Sequence, residues 1–156
     1  MRITGFIVSL IALLLIQIAC NSEPKTEQEE PMSEKEQLYK EVMEIHDSVM
    51  PKMSDINRVK RKLSDLLESD SLMNDDAKEL ISQGTEALEA AENAMMDWMR
   101  AFKAPKPTDP DQLVIQYLNE EKLNILKVSR QMLNSLEKGE ELLKQFEKDT
   151  KVNSNN

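Results

Sequence analysis

The amino-acid sequence predicts an all-α protein, an antiparallel three-helix bundle of coiled-coil type with a kink in helix one at Pro51. Three observations lead there. Apolar residues recur in alternating steps of three and four through three long stretches, the pattern of amphipathic helices sharing a seam. Five of the six prolines, Pro24, Pro31, Pro105, Pro107 and Pro110, fall in two short segments that bound those stretches. Glycine is scarce, with Gly5, Gly84 and Gly139 the three in the chain. Phosphate-cradling loops, Rossmann turns and hairpin-rich β folds need glycine at positive φ, so these classes are excluded.

Helix one is expected over about 33–69. Ser33 followed by Glu36 makes a capping box, and the apolar stripe is Leu38, Val42, Ile45, Val49, Ile56, Val59, Leu63 and Leu66. Lys52 breaks this seam, and Pro51, lacking an amide hydrogen, removes one ladder hydrogen bond and kinks the helix. Helix two, about 75–103, starts near Asp75 or Asp76 and carries Ala77, Ile81, Gly84, Leu88, Ala91, Met95, Trp98 and Phe102. Small residues in its first half imply close approach to its neighbours there. Helix three, about 110–148, takes Asp109 as cap and Pro110 in its first turn. Its stripe is Val114, Leu118, Ile125, Val128, Met132, Leu136, Leu143 and Phe146. Residues 149–156 are expected as a disordered tail. Short connections between long helices require antiparallel neighbours, giving an up-down-up path.

The first 19 residues do not fit this pattern. Arg2 precedes the apolar run Phe6–Ile16, which is followed by Gln17, Ile18, Ala19 and Cys20. A basic start, a short apolar core and a small residue before a cysteine resemble a bacterial lipoprotein signal, residues 1–19, cut before Cys20. Gln17 and Ile18 depart from the usual residues of that pattern, and an uncleaved anchor of marginal length is the alternative. The resemblance implies that Cys20 carries diacylglycerol and acyl chains of the palmitate type. It also implies a lipid-anchored protein of the bacterial cell envelope, with the outer membrane favoured over the inner because Asn21 is not an inner-membrane retention residue. Two or more acyl chains hold a protein firmly to its membrane. Cys20 is the one cysteine, so no intrachain disulfide can form. Residues 20–32, acidic and Pro-bearing, read as a flexible tether. Loss of residues 1–19 removes Arg2 and no acid, leaving 19 basic against 29 acidic residues and a net charge of −10.

Ten methionines are many for 156 residues. Met43, His46, Met50 and Met53 form a second stripe on helix one, and Met95, Met96, Trp98 and Met99 crowd one turn and a half of helix two. With the hairpin folded between residues 71 and 72, Met43 falls level with Arg100, His46 with Asp97 and Met50 with Asn93. The two stretches should therefore meet at one end of the bundle, near Tyr39 and Tyr117. One explanation is that methionine fills irregular gaps beside the kink while His46 faces solvent. A second is a partner surface made of Met50, Met53, Trp98 and Met99. A third is a soft-metal site for Cu(I) as the implied cofactor, made of Met43, His46, Met50, Met96 and Met99, since thioethers and imidazole suit that ion.

The segment IHDSVMPKMSDINRVKRKL, followed by AMMDWMRAFK, a Pro-containing linker and the YLNEEK opening of helix three, resembles a group of small Bacteroidota lipoproteins labelled "viral A-type inclusion protein". The resemblance spans about Leu38 to Leu136 and implies the helical fold and lipoprotein status. It implies no activity and no functional residues.

Catalysis has little support: there is one histidine, His46, and no HExxH, GxSxG or P-loop spacing. Glu140 and Glu141 read as a solvated face. Arg58, Lys60, Arg61 and Lys62 form the dense basic patch, but an acidic chain outside the cytoplasm gives nucleic-acid binding no support. The expected function is a non-catalytic helical interaction or structural module of the envelope. Its expected partners are the membrane, through the lipid, and an envelope protein or a second copy of the chain.

Overall fold

The computed structural model describes the backbone of residues 31–69 and 73–153 and side chains as far as Phe146. The expected signal, Cys20 and all but the end of the tether lie outside these residues. The described chain is all-helical, without a strand. Its elements are α1 (Glu34–Val49), α2 (Lys52–Ser69), α3 (Asp75–Ala101) and α4 (Asp111–Asn153). Among these residues no helix is long and apolar enough to cross a membrane.

α1 and α2 are the two halves of one rod that bends by 32°. Met50 keeps helical dihedrals and its amide donates to the His46 carbonyl at 2.8 Å. The next residue is Pro51, which has no amide hydrogen to donate, and the ladder resumes with Met53 donating to Met50 at 3.1 Å. Ser33 and Glu36 form the expected capping box at the start of α1. α3 opens one residue earlier than an Asp76 start would give, because the Asn74 side chain accepts from the Ala77 amide at 2.8 Å.

Asp109 does not cap α4. Its carboxylate turns back to accept from the Lys106 amide at 2.7 Å, closing the proline segment into a turn. The first helical acceptor is instead the Pro110 carbonyl, which takes the Val114 amide at 3.1 Å. α4 then continues to Asn153, beyond the end near 148 that periodicity predicts.

The three rods pack on one another. Contacts between α2 and α3 and between α3 and α4 run in opposite senses along the two helices of each pair. Gly84 of α3 lies against Leu63 and Leu142, while Trp98 meets Glu121. Along the first rod and α4 the numbers rise together: Lys35 pairs with Asp111, Glu41 with Lys122 and Arg58 with Glu140. The buried core follows the predicted stripes. All eight stripe residues of α4 are buried, as are six of those on the first rod and six on α3. Ile45, Leu66 and Phe102 pack against that core from its edge. Among the described residues of α4, two core positions lie outside the stripe: Ser135, whose hydroxyl donates to the Met132 carbonyl at 3.1 Å, and the buried Gly139.

Candidate functional site

The seam between the first rod and α3 is built from heptad mates. Met43, Met50 and Asn57 are seven residues apart, and so are Tyr39, His46, Met53 and Lys60. Asn57 and Lys60 both reach Glu92 of α3, at 3.3 and 2.6 Å, so both stripes face α3 along α2, and Tyr39 and His46 carry one of them to α3 along α1. Met99 lies seven residues after Glu92 and shares its side of α3. The flank is therefore polar toward the α2 end and sulfur-rich toward the α1 end.

At the polar end, the Lys60 ammonium, with the Asn57 amide, holds the Glu92 carboxyl below its ordinary value of 4.5. Lys122 does the same to Glu41 across the other seam. A carboxyl depressed in the folded state is more fully ionised there than in the unfolded chain. Each pair thus adds stability above the unfolded value and loses it as pH falls through the folded one. Urea titrations between about pH 6 and pH 3 should show stability falling on acidification. In Glu92→Gln the fall should be shallower. An unchanged slope would mean that Glu92 titrates alike in both states.

At the sulfur-rich end the hairpin brings the rings together. His46 lies 5.5 Å from Trp98, one residue from the Asp97 level that equal rise predicts. Trp98 stacks on Phe102 at 4.9 Å, and Phe102 meets Tyr39 at 6.3 Å and Tyr117 at 6.1 Å. Trp98 Nε1–H donates to Glu121 Oε2 at 2.8 Å, tying α3 to α4. The Tyr117 hydroxyl oxygen accepts from the Lys103 amide at 2.8 Å, and burial pushes its phenol above the ordinary value, so it stays protonated at neutral pH. His46 Nδ1 lies 2.8 Å from Asp47 Oδ1, and the ring is 15% exposed, so it is mostly covered rather than turned to solvent.

The candidate residues divide by burial. Met50, Met53 and Met99 are half-buried against the core and Met43 is half-buried beside them, while Met96 is exposed. Trp98, expected as part of a docking surface, is 7% exposed. Its ring is covered by His46 and Phe102 and its N–H is spent on Glu121, so it is an internal pillar under the flank. Glu121 was not a candidate on the sequence. Its signal is a seven-residue gap in the α4 stripe between Leu118 and Ile125, where a core-facing position carries a carboxylate.

Among the described residues, no three His, Cys, Asp or Glu side chains gather as a metal-binding group. In the basic patch, Arg58 pairs with Asp55 and Glu140, and Lys60 with Glu92. A shallow hollow of about 370 Å³ lies beside the proline segment, lined by Tyr39, Pro105, Pro107, Val114 and Leu118 with Lys35 at its rim. None of the methionines lines it. No protein-family model, curated protein or solved structure matches the chain.

Proposed function

We propose that the chain is a lipid-anchored protein of the bacterial envelope, favouring the outer membrane, whose antiparallel coiled-coil-like bundle is a non-catalytic interaction module. The docking surface is the methionine flank of the first rod and α3, and the small lipoprotein group that the sequence resembles belongs to the same reading. The observation that carries the surface assignment is the exposure gradient: Met96 is open while Met50, Met53 and Met99 are half-covered on the same flank. Unbranched thioethers adapt to more than one partner shape, which suits a surface that must be stable both alone and covered. Anchoring rests on the order of residues from Arg2 to Cys20.

Two arms test this. Cells fed labelled palmitate should label the wild-type chain and not Cys20→Ser, and the variant should leave the membrane fraction. A photo-crosslinker at Met96 should capture a defined envelope protein, and Met50→Asp or Met99→Asp should abolish capture while the purified variants stay helical. Capture that survives both aspartates rules out this flank as the interface. A product of twice the chain mass makes the partner a second copy.

A further inference from the structure

We propose that His46 Nε2 and the thioethers of Met50, Met96 and Met99 form a binding site for a soft monovalent cation, Cu(I) or Ag(I), across the α1–α3 seam. This goes beyond the docking reading and does not depend on it. The first support is placement. His46 of α1 and Met50, its C-cap, are one helical turn apart, and Met96 and Met99 are one turn apart on α3. The stripe carrying His46 faces α3 through the rings of His46 and Tyr39, and Met50 lies beside it, half-buried against the core. The contacts of His46 with Trp98 and of Tyr39 with Phe102 bring this part of α1 and α3 to similar heights. At a rise of about 1.5 Å per residue, Met99 is then about 1.5 Å from the level of His46, and Met96 about 3 Å from that of Met50. Met43 sits two turns from Met50, toward the aromatic end, and is not part of this set.

The second support is the carboxylate behind the imidazole. An ionised carboxylate only accepts, so the contact with Asp47 puts the proton on Nδ1, which donates to Asp47 Oδ1 at 2.8 Å. In that tautomer of the neutral ring, Nε2 is the ligating nitrogen. A carboxylate behind a histidine is the arrangement that orients an imidazole ligand and raises its basicity. The third support is donor softness. Three thioethers and one imidazole, with no thiolate or ligand carboxylate, favour Cu(I) over hard cations such as Mg(II).

The test uses the full-length chain carrying Cys20→Ser, which removes the one thiol. Cu(I) is titrated anaerobically against a chromophoric chelator, and Ag(I) is titrated into protein labelled at the methionine methyls. The expected result is one Cu(I) per chain, with the methyl signals of Met50, Met96 and Met99 moving and that of Met73 still. Met50→Leu and Met99→Leu conserve volume and keep the fold; each should weaken binding at least about tenfold, and His46→Gln likewise. Asp47→Ala, acting only behind the histidine, should weaken it by about 10–100-fold. Met73→Leu should leave affinity unchanged. Failure to retain Cu(I) against the chelator overturns the proposal, as does retention at full affinity by both leucine variants. Loss of partner capture in the aspartate variants with Cu(I) binding absent would instead support the docking reading alone.

Discussion

Replacing Trp98 with alanine is expected to cost about 3–5 kcal/mol, the range for deleting a buried aromatic side chain. Trp98 is 7% exposed and lies between His46 at 5.5 Å and Phe102 at 4.9 Å. Its removal leaves both rings without a face to pack on and loosens Tyr39 and Tyr117, which reach the cluster through Phe102. The deletion also takes the donor from Glu121. Trp98→Phe separates these contributions, since it keeps most of the ring contact and loses only the hydrogen bond. A bond to a charged group is worth about 1.5–3 kcal/mol, and partial exposure of Glu121 puts this one at the lower end. Urea unfolding followed by far-ultraviolet circular dichroism reads both variants. A Trp98→Ala cost below about 1 kcal/mol would show that the cluster is not a supporting element.

The two helical glycines are expected to answer substitution in opposite directions. A Cβ on Gly139 would lie 2.8 Å from Val59 Cγ1 and 3.0 Å from Leu88 Cδ1. Val59 and Leu88 are fully buried, and a β-branched valine in a helix has essentially one rotamer, so neither yields cheaply. Gly139→Val is expected to destabilise by about 3 kcal/mol, the upper part of the overpacking range. A Cβ on Gly84 would lie 2.5 Å from Leu142 Cδ1, the far end of a flexible and half-buried side chain. Leu142 can rotate outward, and alanine is favoured over glycine inside a helix by up to about 1 kcal/mol. Gly84→Ala should therefore be neutral or stabilising. Equal destabilisation by both changes would mean that Leu142 is as confined as Val59.

The fold was readable because helices that share one seam must repeat their apolar positions, and each predicted stripe became core. The bend was readable from Pro51 alone. The meeting of His46 with Trp98 followed from rise per residue and one hairpin turn, which is why it came out within a single residue. What could not be read in this way involves α4, whose register against α3 passes through the proline segment. That segment turns on Asp109 accepting from Lys106, a local bond that competes with helix capping and leaves no trace in periodicity. Even so, the α4 stripe held two clues in its seven-residue gaps, Leu118 to Ile125 and Leu136 to Leu143. Glu121 and Gly139 occupy the missing core positions, one as an acceptor for Trp98 and the other as space for Val59 and Leu88. The division of the candidate flank into polar and sulfur-rich halves needed the contacts of Glu92, because the sequence alone does not say which side of each stripe meets α3.

Trp98 is the only tryptophan in the chain, so light absorbed near the red edge of the protein band is absorbed by the α1 end of the seam and nowhere else. With an imidazole at 5.5 Å and a carboxylate on the indole N–H, its emission depends on how α1, α3 and α4 sit at that one end. The seam around Lys60 and Glu92, beyond the Pro51 bend, is optically dark. Emission and total helicity therefore watch different parts of the same molecule, and any separation of their unfolding curves would measure how firmly the bend couples the two halves of the rod.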